Sequence, residues 1–130
     1  MPLPDQPPFA HFLGIKLISV APERLEAELV VRDEFTNYNG VMHGGALMAY
    51  ADSLGGTISR ASLKPGQRTT TIESKTNFFA GIPIGTIARA ESIPLHRGRT
   101  TIVVQTTITR AAGRLAAIVT QTQMVLDKAE

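Results

Sequence analysis

The residue pattern predicts an α+β domain: one long apolar helix against a large antiparallel sheet, in the order β-β-α-β-β-β-β. Three observations lead there. Residues 43–63 form a run with almost no charge, too long for an ordinary strand and rich in Gly, Ala and Ser. Two segments before it and four after it alternate apolar with polar residues, or are dense in Thr, Val and Ile, as pleated strands are. Short turn-forming stretches separate consecutive segments, which suits antiparallel hairpins rather than crossovers. A helix that is apolar nearly all round must be covered on several sides, so the sheet is expected to wrap it.

The elements follow in chain order. Residues 1–8 include Pro2, Pro4, Pro7 and Pro8, and proline fixes φ and removes a donor, so a flexible arm is expected there. Residues 9–13 suit one short helical turn. Strands are predicted over 15–20 and 24–31, joined at Pro22-Glu23, with Leu25, Ala27, Leu29 and Val31 on one face. Thr36-Asn37-Tyr38-Asn39-Gly40 is loop chemistry, since Asn and Gly tolerate left-handed backbone. The helix runs from His43 to about Leu63, where Lys64-Pro65-Gly66 stops it. Each interior glycine costs a helix about 1 kcal/mol relative to alanine, so its glycines point to close approach of neighbouring backbone. Further strands are predicted over 69–80, 86–95, 100–109 and 115–126. The turns between them are Gly81-Ile82-Pro83-Ile84-Gly85, Arg97-Gly98-Arg99 and Ala111-Ala112-Gly113. In the strand 100–109, Ile102, Val104, Thr106 and Ile108 share a face. No repeat interrupts this order, and residues 1–130 read as one domain.

Composition narrows the function. Hydrophobic residues make up 43% and charged residues 18%, an ordinary globular balance. Cysteine is absent, which excludes disulfides, thiolate metal sites and a cysteine nucleophile. No apolar run reaches membrane-spanning length, and the N-terminus lacks a basic segment followed by an apolar one. A cytoplasmic protein without membrane partners is therefore expected. The net charge is +2, aromatics total 5%, Trp is absent, and the cations are scattered apart from Arg97 and Arg99, so nucleic acid is not expected as a partner. His11, His43 and His96 are the only histidines and form no HxH or HExxH pattern, so neither metal nor redox cofactor is expected.

Chemistry gathers between Asn37 and Asp52. Gly44 and Gly45 fall at the helix start, where the first N–H groups have no intrahelical partner and the helix end is partly positive. Such an end can hold a developing oxyanion, and Gly44 would let a carbonyl approach the backbone. Asp52 is the only acidic residue between His43 and Arg60, which makes it a candidate general base or nucleophile. Plainer roles stand beside these: a turn for Asn37 and for the glycine pair, a backbone contact for His43, an ion pair with Arg60 or with a basic residue of the sheet for Asp52. His43 and Asp52 are nine residues apart, which puts them on opposite helix faces and about 13 Å apart along the axis. If both act on one substrate, the site combines two copies of the chain.

The run Asn37-Tyr38-Asn39-Gly40-Val41-Met42-His43-Gly44-Gly45, followed by Asp52-Ser53, resembles the signature of the phenylacetyl-CoA (PaaI-like) branch of the hotdog thioesterases, within the 4-hydroxybenzoyl-CoA thioesterase superfamily. The resemblance continues through Thr71-Ile72-Glu73, Asn77-Phe78-Phe79 and Arg97-Gly98-Arg99-Thr100, and covers the chain after about residue 10. It implies a hotdog fold, with the helix wrapped by a highly curved sheet, and hydrolysis of an acyl-CoA. Asp52 matches the family's carboxylate and Gly44 the residue whose N–H polarises the thioester carbonyl. Asn37 matches the polar side chain that positions carbonyl or water, His43 an orienting partner, and Thr71 a hydroxyl near the carboxylate. The resemblance also implies a homodimer or homotetramer, Asp52 coming from one subunit and Asn37, His43 and Gly44 from the other.

The turn Arg97, Gly98, Arg99 and Thr100 resembles the family's contact with the nucleotide end of coenzyme A, as suits the phosphate-binding fork of arginine; a solvated hairpin tip is the alternative. Met48, Tyr50, Phe78 and Phe79 are expected mainly in the core. Two other activities compete: a non-catalytic acyl-CoA-binding hotdog protein, and an acyl-thioester hydratase. The hydratases share a Pro- and Gly-rich His motif that this sequence lacks.

Overall fold

The computed structural model describes residues 2–127. A short helix α1 (Pro8–Leu13) precedes strands β1 (Lys16–Ala21) and β2 (Arg24–Val30). The main helix α2 (Gly44–Arg60) follows, then β3 (Arg68–Phe78), β4 (Ile87–Arg97), β5 (Thr101–Arg110) and β6 (Arg114–Leu126). This is the expected order. The expected turn at Ala111–Gly113 is a 3-10 turn, and a second 3-10 turn, Asp33–Phe35, lies in the loop before α2.

The six strands form one antiparallel sheet in the order β1-β2-β4-β5-β6-β3. After α2 the chain therefore crosses to the far edge before pairing back with β6. α2 touches every strand from β2 to β6, the wrapped-helix arrangement of a hotdog domain. The expected sheet faces are the buried ones: Leu25, Ala27, Leu29 and Val31, and Ile102, Val104, Thr106 and Ile108. Full burial of a leucine or isoleucine side chain contributes about 1.5–3 kcal/mol, so these rows fix which side of the sheet meets α2. Two buried hydroxyls on that side satisfy each other, Ser92 Oγ and Thr106 Oγ1 at 2.7 Å. Tyr50 Oη donates to the Ala88 carbonyl at 3.0 Å, and burial pushes its phenol well above the ordinary range.

Several expectations are corrected. α2 is enclosed on one face only, by Leu47, Tyr50, Ala51, Leu54, Gly55, Ile58 and Ser59. Gly45, Asp52 and Arg60 stand on the open face. The helix ends at Arg60 rather than Leu63, because Ala61, Ser62 and Leu63 wind more tightly, each donating three residues back at 3.2 Å. The glycine reading holds at Gly55, but the close neighbour is a side chain rather than backbone. A Cβ there would lie 2.2 Å from Gln121 Cδ, whereas one on Gly56 would meet nothing within 4 Å. Pro8 opens α1 instead of closing the arm, since the first helical position needs no donor. The arm is also tied down: Gln6 Nε2 donates to the Ile15 carbonyl at 2.9 Å.

Two details of β-structure bear on the site. β4 extends through Arg97, and Gly98 N–H closes the hairpin on the Thr101 carbonyl at 2.8 Å. In β3, Thr71 pairs with Gln123 but Glu73 pairs with Thr122, so Ile72 is an extra residue, a β-bulge.

Candidate active site

The start of α2 is built by its own flanks. His43 is the N-cap, its backbone extended, and its Nδ1 accepts the Gly45 N–H at 2.8 Å. A ring nitrogen here does the work that a Ser or Asp oxygen does at most helix starts. With Nδ1 so used, the neutral ring carries its proton on Nε2. Gly44 is the first helical residue, and no carbonyl within the helix can take its N–H. It lines a hollow of about 400 Å³ with Asn37, Met42, Leu47, Phe78 and Phe79. A Cβ on Gly44 would lie 3.2 Å from Phe78 Cζ, so glycine keeps this hollow open. Phe78 and Phe79 are 53% and 57% exposed, so they line the hollow rather than fill the core as expected.

Asn37 combines its two readings. Its Oδ1 accepts the Asn39 N–H at 2.8 Å, and its own N–H reaches the Val41 carbonyl at 3.0 Å, so it does build the turn. The side-chain NH2 is the half that can address a ligand in the hollow it lines.

Asp52 lies elsewhere, two turns further along α2 and about 12 Å from Gly44 along the axis. It is exposed and opens on a second hollow, of about 460 Å³, shared with Phe9, Ser53, Gly56, Arg60 and Thr71. Thr71 Oγ1 donates to Asp52 Oδ1 at 2.7 Å. Asp52 pairs neither with Arg60 nor with a basic residue of the sheet; the ion pairs among the described residues join Arg24 and Arg89 to glutamates. Behind Thr71 stand two buried amides. Gln123 Nε2 donates to Thr71 Oγ1 at 2.6 Å and also to Gln121 Oε1, and Gln121 Nε2 donates to the Ala51 carbonyl at 2.9 Å.

A third hollow, of about 330 Å³, is lined by Lys64, Arg97, Gly98 and Arg99. Three cations thus border one depression. Thr100 does not line it; its carbonyl instead takes the Val125 N–H at 2.8 Å. Among the described residues no three His, Asp or Glu side chains converge as metal ligands would.

Asn37 and Gly44 therefore share one hollow, Asp52 and Thr71 another, and Arg97 and Arg99 a third. His43 adjoins the first but is committed to the cap. No motif points to Gln121, Gln123 or Gly55. The available signal was Gln121 and Gln123 on the same strand face as Ala117 and Val119, a parity that places two amides in the core.

The pattern of the thioesterase superfamily matches residues 39–117, more than half of the chain. The chain belongs to the thioesterase superfamily. The matched span takes in Gly44, Asp52, Thr71 and the turn at Arg97, and stops short of Gln121 and Gln123. This thioesterase is 33% identical over 106 residues to a Saccharolobus solfataricus protein described as a candidate esterase, a match covering 82% of this chain and 74% of that one. It is 26% identical over 104 residues to mouse acyl-coenzyme A thioesterase 13, covering 79% and 74%. Among solved structures it is similar to a Streptococcus mutans protein bound to acetyl-CoA, with a TM-score of 0.81, 27% identity, and coverage of 89% of this chain and 91% of that one. Hotdog architecture and thioester hydrolysis are thereby its family properties.

Proposed function

We propose that this thioesterase hydrolyses an acyl-CoA to the free acid and coenzyme A, in the cytoplasm, at sites shared between two copies of the chain. One observation carries the reading. The helix-start hollow at Gly44 and the Asp52–Thr71 pair each offer half of a hydrolytic site, and they open separately on one chain. The acyl-CoA thioesterase name of the mouse relative and the acetyl-CoA in the Streptococcus mutans structure support the substrate class.

Each residue then has a role. The Gly44 N–H and the positive end of α2 stabilise the oxyanion as the thioester carbonyl becomes tetrahedral. Asn37 offers its NH2 to that carbonyl or to water, and His43 keeps the cap rigid through its Nδ1. Asp52 of the other copy drives the attack, either as base for a water molecule or as the nucleophile, with Thr71 holding one carboxylate oxygen. The coenzyme A thiolate leaves. Arg97 and Arg99 receive its phosphates, with Gly98 giving the turn its close approach and Thr100 acting through its backbone only. The acyl group, an aryl-acetyl, hydroxybenzoyl or medium chain, sits against Phe78 and Phe79.

The surface of the single chain supports pairing. β3 is an edge strand of eleven residues, and an exposed edge of that length is a ready partner for a second copy. The open face of α2 carries Gly45, Ala49, Ser53 and Gly56, small side chains over which another helix can pass closely. The family resemblance extends the expectation to a tetramer of two such dimers.

The test is thiol release from a panel of acyl-CoAs by the wild type and Asp52→Asn. Turnover of at least one substrate is expected, reduced by about two orders of magnitude or more in the variant at unchanged fold. Coenzyme A binding without thiol release from any substrate would identify a binding protein instead.

A further inference from the structure

Asp52 faces solvent, yet its Oδ1 is the end of a line of side chains that runs back into the core. The line begins at the Ala51 carbonyl, which can only accept. That fixes Gln121 with its NH2 toward α2 and its Oε1 toward Gln123. Gln121 Oε1 takes one Gln123 N–H, and Gln123 Nε2 also donates to Thr71 Oγ1. With that lone pair engaged, the single hydroxyl proton of Thr71 goes to Asp52 Oδ1. Both amides are almost fully enclosed, Gln121 at 0% and Gln123 at 1% exposure. Reversing either amide would leave a buried donor or acceptor unpaired, so the direction of the buried links is locked, and the N–H that Thr71 Oγ1 accepts leaves its own proton for Asp52. Gly55 makes the room, since any Cβ there would overlap the Gln121 amide.

We propose that Gln123, held by Gln121 in the space left by Gly55, is a positioning residue for the hydrolytic step. It locks Thr71 as a donor to Asp52 Oδ1 and so leaves Oδ2 as the atom that acts on water or thioester. The inference rests on the assignment of Asp52 made under the proposed function. It adds two residues that lie outside the span shared with the family.

The experiment is a double-mutant cycle on thiol release, with Gln123→Leu made in the wild type and in Thr71→Val, and Asp52→Asn as reference. In the wild type, Gln123→Leu is expected to lower kcat severalfold, up to the roughly tenfold loss of Thr71→Val, with KM little changed. In the Thr71→Val background it is expected to change kcat by less than about twofold, because its only route to Asp52 has gone. Losses that multiply in the two backgrounds, a KM that rises as kcat falls, or wild-type kcat in Gln123→Leu would each overturn the inference.

Thermal melts establish that the variants fold. Should the leucine variant fail, Gln123→Met is read in the same cycle; should both fail, Gly55→Ala is, because it displaces the Gln121 amide from a helix that alanine favours. An active Asp52→Asn would sink the catalytic reading itself. An inactive Asp52→Asn with an indifferent Gln123 would sink the positioning role alone.

Discussion

The Thr71 hydroxyl, on an edge strand, donates to Asp52 Oδ1 on the helix at 2.7 Å. Both residues are exposed, so this bond orders a carboxylate that would otherwise turn freely, and Thr71 is itself held from behind by Gln123. Thr71→Val should keep the strand's β-branched shape and lower kcat by about tenfold, the worth of one hydrogen bond to a charged group. Thr71→Ser should restore most of the rate. Because position 71 is exposed and serine keeps the acceptor, Thr71→Ser should melt within about 0.5 kcal/mol of wild type, whereas Thr71→Val leaves one N–H of buried Gln123 without its partner and should lose about 1–3 kcal/mol. A valine variant with full kcat would remove Thr71 from the reaction.

Gly44→Ala separates space from folding. The backbone at Gly44 has no positive φ, and alanine favours a helix by up to about 1 kcal/mol, so thermal stability should hold or rise. The added methyl would meet the Phe78 ring and narrow the hollow where the carbonyl is to sit. We expect kcat/KM to fall by about tenfold or more. Unchanged kinetics would place the oxyanion site elsewhere.

Shared sites can be shown by complementation. Asp52→Asn and Gly44→Val chains should each be inactive alone. In a random mixture half the dimers are mixed, and each rebuilds one of its two sites, so about a quarter of wild-type activity should return. If the mixture stays as inactive as its components while mixed dimers are seen by native mass spectrometry, each site belongs to one chain.

Arg97→Ala with Arg99→Ala tests the cationic hollow beside Lys64. KM for an acyl-CoA should rise several-fold and become less sensitive to salt, because phosphate contacts are screened by ions. KM for the matching N-acetylcysteamine thioester, which has no phosphates, should not move. Equal effects on both substrates would make the turn structural.

Much of the molecule was legible because local periodicity and tertiary burial agree. The alternating rows beginning at Leu25 and Ile102 face the core as their spacing requires, and the uncharged run after His43 is the helix. The helical spacing from His43 to Asp52 also anticipated that the two hollows would be separate. The rest depends on neighbours distant in sequence. Local pattern does not announce that β3 pairs with β6, so neither the Thr71–Gln123 contact nor the need for glycine at 55 could be read from either segment alone. The exposure of Phe78 and Phe79 has the same origin, because the end of an edge strand and the residue after it leave large side chains half covered. The helix stops before Lys64-Pro65-Gly66, the breaker visible in the sequence, because the winding tightens a turn earlier.

The single extra residue at Ile72 has a consequence for arithmetic along β3. Thr71 meets Asp52 and Phe78 meets Gly44, so both point toward α2. Seven steps separate them, an odd number, and on an uninterrupted strand they would face opposite ways. Ile72 supplies the phase correction that lets one strand serve both ends of the helix. The stretch between Thr71 and Phe78 therefore cannot gain or lose a single residue without turning either the hydroxyl or the phenyl ring away from the chemistry.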